Sequence, residues 1–164
     1  MTLEEFKIEC KRTCTTLGDL KLDLSHMVLG INSEINELED AVKIKDIVNV
    51  GEEIADMYFY LQNYLTFRNR TIDFSTNIIV DSDSKTLLSL LYKESSLLND
   101  LVKKYIAYGK EIKESEEDIC LIQINRLLLS FLNKYNLSLS DVLDRNIENA
   151  LNRDLETERK VLEG

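Results

Sequence analysis

The stretch Leu24-Ser-His-Met-Val-Leu-Gly-Ile-Asn-Ser-Glu34-Ile-Asn-Glu37-Leu-Glu-Asp-Ala-Val-Lys43, followed after a short linker by Glu53-Ile-Ala-Asp56-Met-Tyr-Phe-Tyr-Leu61, decides how this chain is read. Apolar residues return every three or four positions in both segments, the period of an α-helix with one buried face. Each segment also carries an acidic pair at i, i+3, Glu34 with Glu37 and Glu53 with Asp56, so both carboxylates of a pair lie on one side of their helix. At about 100° per residue, Glu34 falls into the arc of Met27, Ile31, Leu38 and Ala41. Glu53 falls into the arc of Val50, Met57, Tyr60 and Tyr64. A carboxylate inside an apolar stripe is costly unless something pairs with its charge. Two such stripes packed antiparallel bring four carboxylates into one pocket, and their repulsion calls for a cation. An all-oxygen set without His or Cys suits Mg²⁺, or Mn²⁺, better than Zn²⁺ or a non-haem iron.

Outward from these segments the pattern stays helical. With no proline and five glycines in 164 residues the chain has few obligatory breaks, and Leu, Ile, Glu, Lys and Asn recur at helical spacing. The expectation is an all-α bundle of about six helices, one compact domain over 1–164 or two small fused halves. The spacing predicts helices over about Leu3–Leu17, Leu24–Lys43 (capped by Asp23 or Ser25), Gly51–Asn69, Lys85–Tyr108, Ser115–Tyr135 and Asp141–Leu162. Gly109 closes the fourth, and Ser138 or Ser140 caps the sixth. Residues 71–84, rich in Thr, Asn, Ser and Asp, read as the longest loop, dividing a first half (1–70) from a second (85–164).

The second half reads as a faint copy of the first. Glu94 sits among Leu87, Leu91, Leu98, Leu101 and Tyr105 as Glu34 sits in its own stripe. Leu97 falls where Glu37 would be, and Gln123 and Arg126 where Glu53 and Asp56 would be. The copy keeps the helical hairpin and loses most of the acids. Arg126, a cation at a former acid position, is a candidate for reaching a ligand, with pairing to Glu94 as its alternative role.

The net charge of −10 argues against nucleic acid or an anionic membrane as partner. Cys10, Cys14 and Cys120 lack zinc-site spacing and read as structural thiols in a reducing cytoplasm. The acidic N-terminus does not resemble a signal peptide, and no apolar run approaches the roughly 20 residues of a membrane span. A soluble, cytoplasmic protein is expected.

The two acidic segments resemble the MazG-like all-α nucleoside triphosphate pyrophosphohydrolases, a superfamily that includes the dimeric dUTPases. The signature is E-x-x-E, a spacer, then E-x-x-D, with Leu38 to Glu52 as the spacer here. The segment from Leu137 to Arg153 resembles the family's closing N-x-x-K-L-x-x-R motif: Asn146 and Arg153 match, while Asn149 stands in for the Lys and Ala150 for the Leu. Asp100 to Lys110 resembles the loop that joins the two acidic helices in such proteins, here in the second half. The resemblance implies hydrolysis of a nucleoside triphosphate between the α- and β-phosphates. Glu34, Glu37, Glu53 and Asp56 would hold Mg²⁺ (Mn²⁺ being possible), and Glu37 or Glu53 would act as general base. Asn146 and Arg153 would bind phosphate or sugar, and Tyr60 and His26 are candidates for contacting the nucleotide. Family analogy favours a pyrimidine deoxynucleotide, dUTP or dCTP, or a non-standard nucleotide. The chain would work as a monomer whose second half replaces a partner subunit, or as a homodimer.

The alternatives are plain. The acids could form a solvated face, against which stands their phase toward apolar neighbours. A di-iron bundle needs Glu-x-x-His pairs, and the only histidine, His26, precedes Glu34 by eight residues. Arg153 could pair on the surface with Glu148, Asp154 or Glu156. The non-enzymatic reading is a helical relative that binds a nucleotide or a protein.

Overall fold

A computed structural model describes residues 1–74 and 79–164. Among these residues the chain is all-α, with six helices: α1 (Leu3–Thr13), α2 (Leu20–Lys43), α3 (Ile47–Phe67), α4 (Ser84–Tyr108), α5 (Glu114–Lys134) and α6 (Leu139–Glu163). No helix is long and apolar enough to cross a membrane. The loop expected over 71–84 is described except at 75–78, which lie outside the described residues.

Capping sets most boundaries. Thr2 and Glu5 form a reciprocal capping box at the start of α1. The sequence extends α1 to Leu17, yet it stops at Thr13, and α2 begins at Leu20 with Asp19 as its cap. Asp23, expected as a cap, is instead buried. It accepts bonds from the Leu17 amide and the Thr16 hydroxyl, both at 2.7 Å, so it fastens the α1–α2 loop. A side chain that satisfies loop donors gives the backbone an alternative to helix, and that ends α1 early. The α2–α3 connection is only Ile44–Asp46, with Lys45 at φ 58° and Asp46 capping α3 through the Asn49 amide. Gly109 takes the left-handed conformation expected of it after α4, and Ser138 caps α6.

The short turns make hairpins of α2–α3 and α4–α5. They join face to face through α2 and α4, while α1 and α6 lie against α3. Met27, Ile31, Leu38 and Ala41 of α2 are fully buried, as are Val50, Met57 and Tyr64 of α3, in line with the phase assigned to both stripes, while Tyr60, placed in the same arc, is only half-buried. Polar bridges tie α3 to α5. Tyr58 donates to Asn125 Oδ1 at 2.7 Å inside the core. The fully buried Glu117 accepts from the Tyr64 hydroxyl, from Arg68 Nε at 2.7 Å and from Arg70 Nη1. A buried carboxylate meets its desolvation cost only with such multiple partners.

Candidate active site

Glu34 and Glu37 sit one turn apart on α2, and Glu53 and Asp56 one turn apart on α3. Packing α2 against α3 buries Glu34 and Glu53, which are 9% and 7% exposed, and leaves Glu37 open to solvent. One carboxylate oxygen each from Glu34, Glu37 and Glu53 lie within 4.8 Å of one another. Asp56 stands beside this group without joining that tight set, and its Oδ1 accepts a 2.7 Å bond from Asn146 Nδ2 of α6. The arrangement thus brings three of the four acids into one cluster and places the fourth at its edge.

The electrostatics are those of a site short of positive charge. Burial, contact with Glu53 and the charges of Asp56, Glu53 and Glu37 push the Glu34 carboxyl well above the ordinary range. Glu53 is raised too, chiefly by burial and with Glu37 adding to it. Asp56 rises mainly through burial, opposed by its bond from Asn146 and by the charge of Arg153. Oε2 of Glu34 and Oε2 of Glu53 are buried with no hydrogen-bond partner. Orphaned carboxylate oxygens are rare, because each loses its hydration with nothing in return. Glu53 does have donors elsewhere: the raised Glu34 carboxyl hydrogen-bonds it, and with its amide nitrogen turned toward the acids, Asn49 reaches Glu53 Oε1 at 3.1 Å. An all-oxygen donor set with two unsatisfied buried oxygens fits a small, hard divalent cation.

A cleft of about 600 Å³ opens beside the cluster, with Glu34 and Asp56 on one side and Asn146 and Arg153 of α6 on another. That volume is in the usual range for a small-molecule site. Tyr60 lines it as well. Its ring occupies the space where a side chain at position 30 would be: a Cβ on Gly30 would lie 2.4 Å from the ring, so only glycine lets α2 and Tyr60 meet this closely. His26, exposed, meets the Tyr60 ring edge-on at 6.0 Å and so borders the site without being among the residues that line the cleft.

Arg126, Asn149 and several charged residues lie elsewhere. Arg126 on α5 does not line the cleft, and its Nη1 bonds Gln123 Oε1 at 3.5 Å. Asn149 lines a separate surface pocket with Asp144 and Arg145. Glu39 pairs with Lys43 at 3.0 Å and Glu52 with Arg145 at 3.6 Å, as surface acids do. Lys103 and Lys104 both pair with Asp100, at 3.0 and 2.7 Å.

Sequence reasoning missed Arg12 and Thr13, which bring the end of α1 to the cleft, and Asn49 beside Glu53. Nothing local marks them. Arg12 looks like any last-turn cation, and only the docking of α1 on α3 gives it a place at the cleft. In comparisons with protein-family models, with curated proteins and with solved structures, the chain matches none.

Proposed function

We propose that this chain is a divalent-metal-dependent nucleoside triphosphate pyrophosphohydrolase, cleaving between the α- and β-phosphates to give a nucleoside monophosphate and pyrophosphate. The observation that carries this reading is the pair of buried, unpartnered oxygens of Glu34 and Glu53, set in a cleft whose other side carries Asn146 and Arg153. A protein that merely docked a partner would gain nothing from burying carboxyls whose ionisation is opposed by burial and by their neighbours.

In this reading Glu34, Glu37, Glu53 and Asp56 hold Mg²⁺, with Mn²⁺ as a substitute. When bound, the ion supplies charge neutralisation for the polyphosphate and acidifies a water molecule. The chain's own groups do the rest. Asn146 holds the Asp56 carboxylate in place through its 2.7 Å bond. Arg153 offers a planar fork to phosphate oxygens. Glu37, the one exposed acid of the four, accepts the proton from the attacking water, which adds its oxygen to the α-phosphorus as pyrophosphate leaves. Tyr60 flanks the nucleoside, and a pyrimidine deoxynucleotide, dUTP or dCTP, is the proposed substrate. The reducing cytoplasm is the matching compartment, since Cys10, Cys14 and Cys120 are free thiols.

The experiment is an assay of pyrophosphate release across nucleoside and deoxynucleoside triphosphates, with and without Mg²⁺, on the parent and on Glu53→Gln. Magnesium-dependent turnover should appear in the parent and vanish in the variant while its circular dichroism stays helical. Undiminished activity in Glu53→Gln sinks the assignment, as does a parent that releases no pyrophosphate from any nucleotide.

A further inference from the structure

Among the described residues that line the cleft only two are cationic, Arg153 from α6 and Arg12 from the last turn of α1. We propose that Arg12 is a second phosphate-binding residue, reaching the polyphosphate from α1 while Arg153 reaches it from α6; this rests on the reading of the site as a triphosphate site.

The fold delivers both cations to one cleft. The amino terminus of Met1 donates to Ser140 Oγ at 2.7 Å and to Asp144 Oδ1 at 2.8 Å, tying the start of α1 to the first turns of α6. From that tie, Arg12 lies eleven residues along the chain and Arg153 nine beyond Asp144. Both arginines line the same opening.

Arg12 is also oriented in advance. Glu9, one turn back, accepts from its Nε at 3.1 Å and from its Nη2 at 2.8 Å, both through Oε2. The Nη1 edge is not engaged by Glu9, and the side chain is 55% exposed, so an anion can approach it. An exposed i, i+3 pair of this kind is weak and yields readily to a phosphate carrying more charge. Glu9 therefore acts as a rest position for the guanidinium. The charge balance gives the second cation a purpose. Four carboxylates and a triphosphate bring about eight negative charges together, more than two divalent ions offset, in a chain whose net charge is already −10.

The test measures binding of the α,β-imido analogue of dUTP by calorimetry in the presence of Mg²⁺, with inorganic tripolyphosphate as a base-free probe. The variants are Arg12→Ala, Arg12→Lys and Glu9→Gln, and the Mg²⁺-induced rise in melting temperature is recorded for each without nucleotide. Arg12→Ala should weaken both polyphosphates by about tenfold. Arg12→Lys should recover part of that loss, and Glu9→Gln should bind as well as the parent or better. The response to Mg²⁺ alone should be unchanged throughout. Equal binding by the parent and Arg12→Ala overturns the proposal alone. Parallel losses of binding and thermal stability in Arg12→Ala and Glu9→Gln also overturn it, showing that the pair only braces the end of α1. A parent that binds neither polyphosphate overturns the proposal together with the reading of the site.

Discussion

Replacing Glu34 by Gln should make the metal-free protein more stable, an inversion of what removing a buried polar group usually does. The Glu34 carboxyl is held protonated by burial and by the facing acids Glu53, Asp56 and Glu37. A carboxyl whose folded pKa is raised contributes its full stability below the unfolded value of about 4.3 and loses it as pH climbs toward the folded value. At pH 7 the unfolded chain has released a proton that the folded chain retains. The cost is ~1.4 kcal/mol per pH unit above the unfolded pKa, or at most ~3.7 kcal/mol. Water in the cleft screens part of this, leaving about 1–3 kcal/mol. Glutamine keeps the shape and cannot ionise, so the metal-free variant should melt roughly 3–10 °C above the parent at pH 7 for a domain of this size. The difference should shrink toward pH 5. Magnesium should reverse the order: at a hundred times its dissociation constant a ligand adds about 2.7 kcal/mol to the parent. The variant, lacking one ligand charge, should gain little. Differential scanning calorimetry between pH 5 and 8, with and without Mg²⁺, reads both effects. A variant that melts below the parent without metal, or that matches the parent's response to Mg²⁺, refutes the argument. Glu53, pushed up to about 7, makes the same window visible in the parent, whose metal-free stability should fall as pH rises through neutrality.

Two further outcomes follow from the geometry. Arg153→Ala should raise KM by roughly tenfold or more, the loss of a charge-assisted contact of ~1.5–3 kcal/mol, while the Mg²⁺-dependent melting shift stays put; kinetics like the parent's would reduce α6 to packing. Glu117→Ala leaves Arg68 and Arg70 facing a cavity and strands the Tyr64 hydroxyl, so stability should drop by about 3–5 kcal/mol, and an unchanged melting curve would show that the network contributes nothing.

The clustered acids were legible in the sequence because their signal is local. A glutamate in phase with Ile31 and Leu38 betrays its burial without knowledge of what covers it, and both stripes are buried in line with their phase, Tyr60 only by half. The same period located the six helices to within a few residues. Long-range features stayed hidden. Glu117 lies in the acidic run Glu114 to Asp118 and looks like its exposed neighbours, while its partners on α3 and just beyond it are 47 to 53 positions away. The early end of α1 depends on Asp23 turning back to Leu17 and Thr16, where capping propensity alone points Asp23 toward the helix start. Arg126 is a candidate ligand contact only because a repeat alignment puts it at an acid's position, and an alignment does not say which cavity a side chain faces.

Gly30 lies one turn before Glu34, and Tyr60 one turn after Asp56, so their contact sits beside both acidic pairs. A methyl at position 30 would stand 2.4 Å from the ring, which must then swing aside or force α2 and α3 apart. Any shift of the helices at this contact would carry over to the gap between Glu34 and Glu53. Magnesium binds oxygen at about 2.0–2.1 Å and calcium at about 2.3–2.6 Å, so in the proposed metal site a few tenths of an ångström there would divide one ion from the other. Discrimination between the two ions would then rest on a residue with no side chain, and exchanging the carboxylates among themselves would not reveal it.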